Sequence, residues 1–97
     1  AAGNLSILLT GIPFSVTCQG QPVELTRQEF RILELLLSHP GRVFSKQAIY
    51  DYAWEEMYLG EDKTINVHIS NIRKKLRGVS DREYIETVWG IGFRLAP

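Results

Sequence analysis

Between Lys63 and Arg77 the chain carries Asn66, Ser70, Asn71, Arg73, Lys74 and Arg77, and no acidic residue. A side-chain amide offers donor and acceptor in one plane, a hydroxyl offers both, and a guanidinium offers a fork of donors. These are the groups that read base edges in a DNA major groove: Asn pairs with adenine and Arg with guanine in bidentate fashion. Lysine and arginine also hold phosphate oxygens. Val67 lies among them, and an aliphatic side chain is what a thymine methyl meets. The alternative is a solvated helix face, on which a single exposed valine needs no explanation. Asn and Ser weigh against that alternative, because they are mediocre helix formers and Glu, Lys or Gln would serve a plain surface better.

Such residues act together only if they share a face. With Ile65 at zero and a step of about 100° per residue, Ile69, Ile72 and Leu76 fall within about 40° of it. That stripe is the expected core face. The opposite side carries Lys63, Val67, Ser70 and Lys74, flanked by Asn66, Asn71, Arg73 and Arg77, with Thr64 at the start of the helix. His68 falls at the edge of the core and reads as a partly buried structural residue.

Charge is distributed unevenly. The 97 residues sum to a formal net charge of zero, which argues against a strongly polyanion-seeking protein only on average. From Asp51 to Asp62 every charged residue is acidic: Asp51, Glu55, Glu56, Glu61 and Asp62. From Lys63 to Arg77 every one is basic: Lys63, Arg73, Lys74, Lys75 and Arg77. The sign changes within one peptide bond.

Other chemistries find no support. Cys18 is the single cysteine, and His39 and His68 lie far apart, so no metal-ligand spacing exists and no metal or other cofactor is expected. A lone cysteine fits a reduced, cytoplasmic setting. No nucleophile motif, paired carboxylates or Gly-rich phosphate loop appears, so an enzyme is not expected. No apolar run approaches the roughly 20 residues of a membrane span. The chain opens Ala1-Ala2-Gly3 without methionine, as expected of a piece of a longer protein.

The elements that must position the basic face read as follows. Leu5 to Leu9, Phe14 to Cys18 and Val23 to Leu25 are short strand-like runs divided by Gly and Pro turns, which suggests an antiparallel meander. Thr26-Arg27-Gln28-Glu29 is a capping box that opens a helix ended by His39-Pro40-Gly41. That helix is apolar on most sides and is therefore expected at the centre of the domain. Val43-Phe44 is a short extended piece, and Ser45 caps a second helix from Lys46 to about Trp54, with Ile49, Ala53 and Trp54 as core candidates. An acidic loop over Glu55 to Asp62 precedes the third helix, and Gly78 follows that helix as its C-cap. Tyr84 to Leu95 reads as a hairpin turning at Gly90-Ile91-Gly92. The class is α+β.

Three segments resemble one family: LTRQEFRILELLLSHPGRVFSKQAIYDYAW (Leu25 to Trp54), TINVHISNIRKKL (Thr64 to Leu76) and YIETVWGIGFRL (Tyr84 to Leu95). Together they resemble the DNA-binding effector domain of OmpR/PhoB-type two-component response regulators, over nearly the whole chain. The motifs LTxxEFxxLxLL, VHISxxRKKL and TVxGxGF are specific in combination, in this order.

The resemblance implies a winged helix-turn-helix: an N-terminal antiparallel sheet, three helices and a C-terminal hairpin as the wing. It places the third helix in the major groove and the wing near the minor groove. It implies phosphate contact for Lys63, a thymine-facing role for Val67, base reading for Asn71 in place of a frequent Arg, and a basic contact for Arg73. Thr87 matches a wing residue near the backbone. Trp89 stands where the family often has Arg; it is expected to pack in the wing, with contact along a sugar–phosphate edge the alternative. The loop containing Glu55, Glu56, Met57 and Tyr58 matches the place where RNA polymerase is contacted; a merely solvated loop is the alternative. A missing receiver domain, phosphorylated by a sensor histidine kinase, is implied upstream in such a phosphorelay. Binding of promoter DNA as tandem half-sites is implied too, with the isolated domain a monomer. The runner-up is a winged helix that binds protein, favoured by the neutral net charge and the acidic loop.

Overall fold

The computed structural model describes residues 5–7, 14–54 and 63–96, and of Ile7, Lys63 and Thr64 only the backbone. Strands β1 (Leu5–Ile7), β2 (Ser15–Cys18) and β3 (Gln21–Glu24) form an antiparallel sheet in that order. Cys18 pairs with Gln21, so Gln19 and Gly20 alone make the hairpin loop, with φ of 55° and 80°. Two consecutive positive φ values suit the right-handed twist of the flanking strands. The turn is therefore shorter than the sequence suggests. Pro22 belongs to a strand, at the sheet edge, where a missing N–H costs no ladder bond.

Helix α1 (Arg27–Ser38) begins with the expected capping box. The Glu29 amide donates to Thr26 Oγ1 at 3.2 Å, and the Thr26 amide donates to the Glu29 carboxylate at 3.0 Å. Its Ile32, Leu33 and Leu36 are fully buried, and it contacts α2, α3 and the last strand. Gly41 turns the chain out of α1 with φ of 88°. Strand β4 (Phe44–Ser45) leads directly into α2 (Lys46–Trp54), where Ser45 Oγ accepts from the Ala48 amide at 3.1 Å. Ile49 and Ala53 are buried, while Trp54 is half-buried and stacks on Tyr50 with ring centroids 4.8 Å apart. The expected acidic loop, with Glu55, Glu56, Met57 and Tyr58, lies outside the described residues.

Helix α3 (Lys63–Arg77) buries Ile65, Ile69, Ile72 and Leu76, the stripe its period predicts. Each such side chain removed from water contributes on the order of 1.5–3 kcal/mol, so this face fixes which side of α3 looks outward. A second tie holds α3 to α1. Glu29 is 2% exposed, and its carboxylate accepts from Lys75 Nζ at 2.5 Å as well as from the Thr26 amide. Burial alone would raise the Glu29 pKa. The hydrogen bonds from Lys75 and Thr26, with the Lys75 charge, outweigh it and hold the carboxyl below its ordinary 4.5.

Beyond α3, the Gly78 amide donates to the Lys74 carbonyl, and the Val79 and Ser80 amides share the Leu76 carbonyl. Gly78 follows the helix as expected, but its φ is not positive; the exit is closed by these bonds. Strands β5 (Ile85–Val88) and β6 (Gly92–Leu95) form the expected hairpin. β6 also pairs with β4, through Phe44 opposite Phe93 and Ser45 opposite Gly92. A Cβ on Gly92 would overlap the Phe44 carbonyl, so glycine permits this approach.

Candidate nucleic-acid interface

The face of α3 opposite the buried stripe is open. Asn66, Ser70, Lys74 and Arg77 are exposed, and Val67 is 57% exposed. Val67 is thus an outward-facing aliphatic group flanked by an amide and a hydroxyl. Asn71 is half-buried. The backbone of Lys63 and Thr64 forms the first turn, and their side chains lie outside the described residues. His68 is half-buried, its ring 5.2 Å from Trp54 in an edge-on arrangement, as a structural histidine should be. Lys74, Lys75 and Arg77 occupy the last turn, where positive charge favours the negative end of the helix dipole.

Two basic residues of the expected contact set have partners within the domain. Arg73, expected as a basic contact close to the DNA, donates through Nη2 to the Ile85 carbonyl at 2.9 Å and to Thr87 Oγ1 at 3.0 Å. Its guanidinium also lies 5.9 Å from the Phe93 ring centroid. The residue sits at a helix position that faces β5. Arg73 therefore braces the wing against α3, and Thr87 is the hydroxyl it braces. Arg77 pairs with Glu83 at 3.0 Å, but both side chains are more than half exposed, so this pair opens at little cost.

The wing tip overturns a second expectation. Trp89 does not pack in the wing: it is 89% exposed. Val88 pairs with Gly92, which leaves a loop of only Trp89, Gly90 and Ile91. The Ile91 amide donates to the Val88 carbonyl at 3.0 Å, and Gly90 takes φ of 79° at the third turn position. So short a loop has no slack to fold an indole back onto the strands.

Helix and wing together enclose an open cleft of about 550 Å³. Asn66, Ile69 and Arg73 line it from α3, and Val88, Trp89 and Ile91 from the wing, with Lys46 at the start of α2. Lys46 and Ile91 are not among the contact residues expected from the sequence. Only the pairing of β6 with β4, which carries the start of α2 to the foot of the wing, brings Lys46 here. The arrangement can present hydrogen-bonding groups and one aliphatic side chain to base edges from α3, with cations at the helix end for phosphates. Among the described residues no group of His, Cys, Asp and Glu could hold a metal ion, and no helix is long and apolar enough to cross a membrane.

A family model described as "Transcriptional regulatory protein, C terminal" matches residues 20–95. The chain is 42% identical over 82 residues to the uncharacterized transcriptional regulatory protein YcbL of Bacillus subtilis, covering 84% of this chain and 36% of that one. It is 34% identical over 82 residues to the transcriptional regulatory protein BaeR of Escherichia coli, covering 84% of this chain and 34% of that one. Among solved structures it is similar to the Klebsiella pneumoniae RstA DNA-binding domain in complex with the RstA box. That likeness has a TM-score of 0.78 at 31% identity and covers 98% of this chain and 93% of that one. The response regulator AdeR DNA-binding domain, in complex with an intercistronic region, gives a TM-score of 0.80 over 96% of this chain and 94% of that one; its 24% identity shows the fold alone. The chain spans about a third of the length of the curated relatives it matches.

Proposed function

We propose, because the chain belongs to the family of C-terminal DNA-binding domains of OmpR/PhoB-type transcriptional regulatory proteins, that it recognises promoter DNA with α3 in the major groove. The family is one of DNA-binding regulators, not of enzymes. The observation that carries the docking is the outward face of α3, where Asn66, Val67 and Ser70 stand exposed opposite a fully buried isoleucine stripe. On this reading Asn66, Ser70 and Asn71 meet base edges, Val67 meets a thymine methyl, and Lys63, Thr64, Lys74 and Arg77 hold the backbone on either side. The wing lies by the adjacent minor groove. The likeness to the RstA DNA-binding domain, solved in complex with the RstA box, supports DNA as the partner.

The reading extends to the longer protein. A receiver domain, phosphorylated by a sensor histidine kinase, would drive pairing of two such domains on tandem half-sites, and the isolated domain would be a monomer. RNA polymerase would meet the acidic segment around Glu55, Glu56, Met57 and Tyr58. The setting would be the bacterial cytoplasm.

Salt dependence separates this from a winged helix that binds protein. Each phosphate neutralised contributes about −0.9 to the slope of log affinity against log salt, so three to four basic contacts predict a slope of about −3. Lys74→Ala should flatten it by about one unit while weakening all duplexes alike. A slope near zero would remove DNA as the partner.

A further inference from the structure

Among the described residues four large apolar side chains stand exposed: Phe14, Val67, Trp89 and Ile91. Two of these share the wing tip, on either side of Gly90, and Trp89 at 89% exposed is the most open of the four. An exposed large apolar patch is informative where a singly exposed residue is not. The tip also lacks the means for ordinary groove contact. From Thr87 to Phe93 the sequence TVWGIGF carries no charge and no side-chain amide. The flanking Glu86 and Arg94 neutralise each other at 2.6 Å. Residues 87–93 thus bring no cation of their own to follow the negative potential of a narrow groove, and no side-chain amide or guanidinium to bond base edges; Lys46, Arg73 and Asn66 line the same cleft from the helices.

Beyond the single indole N–H of Trp89, what the tip gains on DNA comes from apolar contact. Phosphates and sugars give an indole little. Base faces give much, but in a duplex they are covered by stacking. Side chains such as isoleucine reach them by prying open a base step from the minor-groove side, which kinks the duplex toward the major groove. An aromatic ring then stacks on the bared face, whatever the base. A wedge must be stiff, and this one is: the loop is three residues long, closed by the Ile91 amide on the Val88 carbonyl. Its β6 arm lies between β4 and β5, and its β5 arm is tied to α3 by Arg73. It is also continuous with the proposed base-reading face, since Trp89, Ile91 and Asn66 line one cleft.

We propose that Trp89 and Ile91 form an apolar wedge that enters the minor groove beside the half-site, unstacks one base step and bends the duplex. This rests on the reading of the chain as a DNA-binding domain. It assigns the tip a role in specificity without base hydrogen bonds: flexible pyrimidine–purine steps, TA or CA, are favoured where the wing lands, and stiff A-tracts are disfavoured.

The test uses the 97-residue chain and a mixed-sequence duplex of about 30 base pairs containing TA steps, with a dye at each end. Binding is read from dye anisotropy, bending from energy transfer between the dyes, and insertion from tryptophan emission. The intact chain should shorten the dye separation, by a bend of roughly 20–90°, and quench its own emission on binding. Trp89→Ala and Ile91→Ala should leave the duplex straight and bind roughly tenfold more weakly, with circular dichroism unchanged. Trp89→Arg should bind with a steeper salt dependence and still leave the duplex straight. Binding with emission and dye separation unchanged overturns the wedge and leaves the DNA-binding reading intact. No binding even at low salt overturns both. Self-association of the chain that Trp89→Ala abolishes, with no bend, gives the tip to a protein contact and also overturns the wedge.

Discussion

Arg73 and Thr87 join the reading helix to the wing: Arg73 Nη2 donates to Thr87 Oγ1 at 3.0 Å and to the neighbouring Ile85 carbonyl at 2.9 Å. The helix and the hairpin address different grooves in the proposed complex, so their relative angle decides whether both can engage one duplex. A single guanidinium nitrogen sets that angle locally. Lysine also has one donor nitrogen, but it lacks the planar guanidinium that lies 5.9 Å from the Phe93 ring centroid.

Arg73→Ala should therefore lower stability by about 1.5–3 kcal/mol, the range for hydrogen bonds to charged groups, read by urea denaturation. The amides of Ile85 and Thr87 should exchange faster with solvent. Arg73→Lys should recover part of each, because one ammonium nitrogen can donate to both acceptors. A variant with unchanged exchange on β5 and unchanged DNA affinity would show that the brace has no part in placing the wing.

Asn71→Ala should change preference at about one base position, at about 1–3 kcal/mol, measured against a panel of single-base variants of a bound site. Val67→Ala should weaken sites bearing thymine at its position and leave stability within about 0.5 kcal/mol, because the side chain is 57% exposed. An Asn71→Ala variant that loses affinity equally on every sequence would place Asn71 among the structural residues, as its partial burial allows.

The Glu29 carboxylate links stability to pH. Its pKa in the folded domain is lowered: burial pushes it up, but the Lys75 and Thr26 hydrogen bonds pull it further down. A group depressed on folding contributes its stability in full above its unfolded pKa. That contribution is lost as pH falls through the folded value. The domain should lose stability below about pH 4.5, and Glu29→Gln should flatten that acid limb while lowering stability at neutral pH by about 1–3 kcal/mol. An acid limb of the same steepness in Glu29→Gln would move the effect to other carboxylates.

What the sequence could tell was set by range. The Ile65, Ile69, Ile72 and Leu76 stripe repeats with the helical period, and the Thr26–Glu29 box closes over three residues, so both are legible without a structure. The Lys75–Glu29 pair spans 46 residues and the Phe44–Phe93 pairing joins β4 to the last strand; neither leaves a local signal. Arg73 looked like one more cation on a basic helix, because nothing in the sequence shows that Ile85 and Thr87 stand opposite it. Trp89 was misread for a related reason. Indoles are usually at least partly covered, but a three-residue loop leaves this one nothing to lie against.

The most direct test of the central claim is a binding selection from a pool of random duplexes at physiological salt, with the domain dimerised through a fused tag. Sequence-specific recognition by α3 predicts enrichment of a tandem repeat with half-sites about one helical turn apart. A pool that stays random through successive rounds, while the protein remains folded, would contradict sequence-specific recognition by α3.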